Sequence, residues 1–144
     1  MTGMSRILGL DLGEKRIGVA VSDSLGITAQ GVCVLNRDDD RSWLKQLAEL
    51  IERYQITAIV IGLPRNMDGS LGVKGEESQR IAEQLQRMFH LPVHLWDERL
   101  STMAVERTLI ASNVRRKKRK KVIDQLAATW ILQGYLDAQR REVD

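Results

Sequence analysis

Three acidic residues carry the chemical interest of this chain. Asp11 is set into the apolar run Ile7-Leu8-Gly9-Leu10-Asp11-Leu12-Gly13. An ionised carboxylate in apolar surroundings is very costly unless a cation, a metal or a shift of its pKa compensates. Gly9 and Gly13 remove side chains around it, leaving room for another backbone, an ion or a ligand. The plainer reading, a strand-end aspartate that ties down a turn, stands level with the functional one on this stretch alone. The second acid comes from Asp97-Glu98-Arg99 at the end of a short apolar segment. Neighbours on a strand point to opposite faces, so at most one of Asp97 and Glu98 faces Asp11, with Arg99 placed to neutralise the other. The third, Asp124, lies one turn inside a final helix beside Ala127 and Ala128. It reads either as a first-turn helix acid or as a third inward-facing carboxylate. Hard oxygen ligands gathered as Asp11, Glu98 and Asp124 suit Mg²⁺ or Mn²⁺. Two such ions about 3.5–4 Å apart would activate water and stabilise the leaving oxygen in phosphodiester hydrolysis.

Charge adds a substrate class. The chain has 22 basic and 19 acidic residues, a net +3. Seven of the positives fall in the unbroken run Arg115, Arg116, Lys117, Lys118, Arg119, Lys120 and Lys121; the rest of the chain, with 15 basic and 19 acidic residues, is net −4. The run leads into the final helix, where each nearby cation opposes the helix dipole by roughly 0.3–1 kcal/mol. Helix support therefore does not explain it, and a solvated face would mix both signs. Phosphate contact does explain it. No other standard catalytic set competes. Cys33 lies in the apolar run Val32-Cys33-Val34-Leu35 and reads as a small buried hydrophobe. No Ser/His/Asp trio, phosphate-binding GxxxxGK[ST] loop or zinc-ligand spacing is present. His90 and His94 straddle Pro92 and read as structural or surface residues.

The elements that must position these groups follow from periodicity. Residues 6–12 and 16–22 read as a hairpin with Glu14-Lys15 at its bend, and 27–35 as a third strand. Trp43, Leu44, Leu47, Leu50 and Ile51 fall on helical spacing, so 42–54 reads as an amphipathic helix capped by Asp40 or Ser42. Residues 57–62 are wholly apolar, the mark of a strand paired in parallel and buried on both faces. The loop from Leu63 to Ser70 follows it. Loops after buried parallel strands often carry ligand-binding residues, which makes Asn66 and Asp68 candidates. Local turn hydrogen bonds are at least as good an account of both. A helix over 76–89, a strand over 93–96, a helix over 102–112 begun by Ser101-Thr102, and a final helix complete the chain. In that last helix Ile123, Leu126, Trp130, Ile131 and Gly134 form the expected buried stripe, with Gly134 permitting close packing.

A chain of 144 residues, 43% apolar and 28% charged, is one soluble globular domain over 1–144 on these criteria. A lone cysteine gives no internal disulfide, and neither a membrane span nor a signal-peptide pattern is seen, so a cytoplasmic location is expected.

The order β-β-β-α-β-α-β-α-α, with a carboxylate within its first strand, resembles a ribonuclease H-like domain. More specifically, Asp11-Leu12-Gly13-Glu14-Lys15-Arg16-Ile17-Gly18-Val19-Ala20 resembles the opening motif of the YqgF (RuvX) family. Gly62-Leu63-Pro64-Arg65-Asn66-Met67-Asp68-Gly69, Asp97-Glu98-Arg99-Leu100-Ser101-Thr102, and Lys121-Val122-Ile123-Asp124 with Ala127-Ala128 are similar to its later motifs. The four blocks span nearly the whole chain in order. The resemblance implies an α/β, ribonuclease H-like fold: a five-stranded mixed sheet, three antiparallel then two parallel strands, flanked by helices and related to the Holliday junction resolvase RuvC. It implies a Mg²⁺- or Mn²⁺-dependent nuclease that matures the 16S ribosomal RNA precursor, linked to ribosome assembly. By it Asp11, Glu98 and Asp124 are the metal-binding carboxylates, while Lys15, Asn66 and Arg99 contact or support the substrate. The fourth acid frequent in RuvC-like proteins has no evident counterpart, so the number of ions stays at one or two. Other readings remain at this stage. They are a branched-DNA nuclease, a non-catalytic nucleic-acid-binding assembly factor, and an actin/Hsp70-like nucleotide-binding module, which normally needs two such domains. Nothing marks a self-complementary surface or an oligomeric state.

Overall fold

A computed structural model of the chain describes residues 5–98 and 116–143, with the backbone alone described over 116–125 and 141–143. Within them, strands β1 (Arg6–Leu12), β2 (Arg16–Ser22), β3 (Ala29–Asn36), β4 (Ile56–Leu63) and β5 (Val93–Asp97) form one sheet in the order β3-β2-β1-β4-β5. β1, β2 and β3 pair antiparallel, and β4 and β5 extend the sheet parallel to β1. Helices α1 (Asp40–Tyr54), α2 (Val73–Phe89) and α3 (Arg116–Val143) flank it. The expected five-stranded mixed, ribonuclease H-like sheet is the one found.

Alternation along the strands sorts the chain into two layers. Leu8 and Leu10 of β1, Ile17 and Val19 of β2, and Ile59 and Ile61 of β4 share one core with Trp43 and Leu47 of α1 and Ile81 and Leu85 of α2. On the opposite face Ala20 and Val60 pack against Ala128, Ile131, Leu132 and Leu136 of α3. That face is lined by small residues, and a Cβ on Gly9 would meet Leu132 Cβ at 2.8 Å and the Ala128 carbonyl at 3.2 Å. The helix therefore rests directly on the sheet. Each fully buried Leu or Ile contributes about 1.5–3 kcal/mol relative to exposure.

Several boundaries differ from the sequence reading, each for a visible reason. β3 begins at Ala29 because the Ile27 and Thr28 N–H groups turn to Asp23 Oδ1, at 2.8 and 3.3 Å. α1 is capped by Asp39, not Asp40 or Ser42: the Asp39 carboxylate accepts from the Arg41 N–H, while Asp40 accepts from Trp43 Nε1. α2 starts three residues early, after Gly72, and ends at His90 in the left-handed region, a structural role for that histidine. Among the described side chains of α3 the buried stripe is Ala127, Ala128, Ile131, Leu132 and Leu136; Leu126 is half-buried, Trp130, expected inside, is 47% exposed, and Ile123 lies outside the described side chains. Gly134 does permit close packing, since a Cβ there would stand 3.0 Å from Trp96 Nε1. The helix expected over 102–112 lies outside the described residues.

Candidate active site

The parallel pairing of β1, β4 and β5 sends their C-terminal ends to one edge of the sheet. The Gly13–Arg16 bend, the loop from Pro64 to Ser70 and residue Glu98 all emerge there. Edges of this kind are where α/β sheets gather ligand-binding groups, because the loops leave the strands side by side.

Asp11 lies on the α3 face. Ile7 and, through its close approach to Leu132, Gly9 face that helix, and Asp11 is the next odd position on the strand. It pairs with Gly18 of β2. On the other side Leu10 is level with Ile61 of β4, so the next step sets Asp11 level with Gly62. Both strand neighbours of the acid thus lack side chains. Gly62 makes room for a second carboxylate: a Cβ there would lie 2.6 Å from Glu98 Oε1, 2.9 Å from Glu98 Cγ and 2.5 Å from Ile131 Cδ1.

The β5 register separates the two adjacent acids. His94 stacks on Tyr135 of α3, with ring centroids 5.4 Å apart, and Trp96 meets the same ring edge-on, while Val93 packs into the other core. Even positions therefore face α3, and Glu98 follows them onto the side of Asp11. Asp97 points the other way, where Arg65 Nε stands 3.7 Å from its Oδ2. Arg65 had escaped the sequence reading, although Leu63, two residues before it, pairs with Asp97 across β4 and β5. Arg99, expected to neutralise one of these acids, lies outside the described residues.

Asp124 is reached through the helix backbone. Leu136 and Ile7 line one cleft, and the Leu132 and Ala128 turns lie over Gly9, so α3 runs against β1. Asp124 belongs to the helical turn before Ala128. Residue 124 is three and four positions before Ala127 and Ala128, which pack against the sheet. Among residues with described side chains, no group of three or more His, Cys, Asp or Glu gathers to hold a metal. Asp124 is outside that set.

The basic run departs from its expected place. Arg116, Lys117, Lys118, Arg119, Lys120 and Lys121 belong to α3 itself, whose first turn holds no acid; Arg115 lies outside the described residues. Lys15 is exposed at the hairpin bend. Asn66 is exposed, and its Nδ2 donates to Ser70 Oγ at 3.1 Å. Asp68 Oδ1 accepts from the Ser70 N–H and hydroxyl. These local bonds are the turn chemistry that competed with a substrate role at both positions. Away from this edge, Cys33 is half-buried on β3 and burial pushes its thiol pKa up, which fits a packing residue better than a reactive one.

A family model described as RuvX, Holliday junction resolvase, matches residues 5–138. Among the relatives, a protein of Geobacillus sp. (strain WCH70) named "Putative pre-16S rRNA nuclease" is 56% identical over 137 residues, covering 94% of this chain and 99% of its own. One of the same name from Bacillus subtilis (strain 168) is 55% identical over 135 residues, covering 92% and 98%. In fold, the chain is similar to Thermus thermophilus RuvC, solved with a Holliday junction substrate, at TM-score 0.57 and 14% identity over 95% of this chain and 96% of that one. It is also similar to the fowlpox virus resolvase solved with junction DNA, at TM-score 0.54 and 13% identity over 93% and 98%.

Proposed function

The chain belongs to the RuvX family, and from that premise we propose that it is a Mg²⁺- or Mn²⁺-dependent endonuclease acting on structured RNA, the precursor of 16S ribosomal RNA. The observation that carries the reading is the Glu98 carboxylate lying over Gly62, the β4 position level with Asp11, with Gly18 on the acid's other side. One domain carries the whole site, acting in the cytoplasm on ribosomes under assembly.

The residues fit a divalent metal by their chemistry: Asp11 and Glu98 offer hard oxygen donors beside side-chain-free backbone, and Asp124 is the third ligand proposed. When bound, the metal supplies Lewis-acid activation of water and charge neutralisation at the leaving oxygen. The chain does the rest. Glycine at 18 and 62 keeps side chains off both strands beside Asp11 and leaves the space over Gly62 to the Glu98 carboxylate. Cations of the 115–121 run, on the helix that also bears Asp124, hold the polyanion. Lys15 and Asn66, on adjacent loops at the same edge, contact the strand being cut, and Arg99 supports Glu98.

Asp11→Asn is expected to abolish cleavage of precursor ribosomal RNA while leaving the melting temperature and RNA binding near wild type. Unimpaired cleavage by that variant at matched Mg²⁺ ends the proposal. The description of the family model favours a second substrate, branched DNA. Preferential cutting of a four-way DNA junction over the RNA in the same assay would move the reading there.

A further inference from the structure

The bend that carries Lys15 is gripped from outside its own hairpin. Arg37, in the turn between β3 and α1, donates from Nη1 to the Gly13 carbonyl at 2.7 Å and to Glu77 Oε1 at 3.2 Å. Its backbone N–H donates to the Lys15 carbonyl at 2.9 Å. One residue thus holds the carbonyls on both sides of Glu14. Its side chain is 13% exposed, whereas Glu77 is 39% exposed. Glu77 belongs to the second turn of α2, the helix that begins just after the loop of Asn66. From the first turn of α2, Lys74 Nζ also approaches Glu14 Oε1, at 3.6 Å, but both side chains are largely exposed and that pair restrains little.

The hairpin does not need this grip in order to close. Gly13 N–H bonds to the Arg16 carbonyl at 2.8 Å, and the β1–β2 ladder continues to Leu12 and Ile17. The Arg37 bonds instead remove freedom from an exposed two-residue bend. They tie it to α2, and through α2 to the neighbouring candidate loop. A lysine that meets a phosphate from a preset bend loses less freedom on binding than one on a loose bend.

We propose that Arg37 is a positioning residue: bridged to Glu77, it sets the Gly13–Arg16 bend so that Lys15 meets a substrate phosphate at the edge bearing Asp11 and Glu98. The inference rests on Lys15 being a substrate contact. It differs from a direct phosphate contact by Arg37, whose guanidinium is turned to the Gly13 carbonyl and Glu77.

The test is the salt dependence of binding by the full chain to a fluorescein-labelled RNA hairpin with single-stranded flanks. An Asp11→Asn background keeps the RNA intact, and melting temperature serves as the folding check. Lys15→Gln and Arg37→Gln are each expected to reduce the slope of log Kd against log salt by about one, the share of one phosphate contact. Because both act through the same lysine, the double variant also loses about one, not two. Glu77→Ala supplies an arm with opposite signs. It removes a negative charge, so a pure charge effect tightens RNA binding, whereas loosening the bend weakens it and lowers the slope. If Arg37→Gln does not fold, the Glu77→Ala arm and its combination with Lys15→Gln carry the decision. Additive slopes in the double variant, or binding by Glu77→Ala as tight as the parent or tighter, overturn the role of Arg37 while Lys15 keeps its effect. A Lys15→Gln variant with an unchanged slope removes Lys15 from the substrate site and overturns the proposal with it.

Discussion

Gly62→Ala isolates the placement of Glu98 from its chemistry. The new Cβ would stand 2.6 Å from Glu98 Oε1 and 2.5 Å from Ile131 Cδ1, where ordinary contact begins near 3.4 Å. Something must give by close to an ångström. Ile131 is fully buried among Val60, Ala128 and Leu132, so its freedom to retreat is small. Glu98 is partly exposed at the sheet edge, and its carboxylate is the group that moves. Overpacking of this kind costs about 1–3 kcal/mol, which in a domain of this size lowers the melting temperature by about 2–4 °C per kcal/mol. Displacing a reacting group by about 1 Å costs on the order of 10²-fold in rate. Gly62→Ala is therefore expected to fold, with a modestly lowered melting temperature, and to cleave RNA roughly a hundredfold more slowly. Gly9→Ala is the contrast. Its Cβ meets Leu132 Cβ and the Ala128 backbone carbonyl, neither of them a flexible tip, so it should cost more stability than Gly62→Ala. Single-turnover cleavage at matched Mn²⁺, alongside thermal melts, checks both. A Gly62→Ala enzyme with wild-type cleavage would show that the Glu98 carboxylate over Gly62 is not part of the machinery.

The two adjacent acids should separate in the same assay. Glu98→Gln is expected to lose more than the roughly 10–100-fold typical of residues behind a metal ligand, and Asp97→Asn less; the reverse order would put the wrong acid on the α3 face. Asp23 gives a pH dependence with a definite sign. Its carboxylate accepts from the Ile27 N–H first of all, then from Thr28, and these bonds lower its pKa below the usual 3.8. The stabilisation is present above the unfolded pKa and is lost as pH falls through the folded one, so Asp23→Ala should narrow the melting-temperature gap to wild type as the pH is taken into the acid range. A gap that does not close would assign the loop's stability to other bonds. Cys33, its thiol pKa raised by burial on β3, should react with a disulfide reagent more slowly than free cysteine near neutral pH. A rate equal to free cysteine would contradict that environment.

Much of the frame was legible in the chain. The bounds of β1 and β2 coincide with the expected 6–12 and 16–22, because two mainly apolar runs split by Gly13-Glu14-Lys15 leave little choice of register. The wholly apolar β4 and the helical spacing of α1 were equally plain. An acid in an improbable setting picked out Asp11, since a carboxylate in an apolar run is conspicuous whatever the fold, whereas the cluster Asp97-Glu98-Arg99 offered two acids without choosing between them. Other features required the assembled sheet. Whether Glu98 or Asp97 shares a face with Asp11 turns on one residue of strand register, which a five-residue strand does not declare by itself; stacking of His94 and Trp96 on Tyr135 decides it. The final helix reaches back to Arg116 despite its like charges. Lys and Arg are good helix formers, and the turns from Ala127 to Leu136, packed on the sheet, give them a helix to extend. Arg65 beside Asp97, and Arg37 bridging Gly13 to Glu77, join positions 24 to 40 residues apart. Local pattern reports the conformation of neighbouring residues; which distant side chain fills a given space is decided only when the strands have paired and the helices have been laid against them.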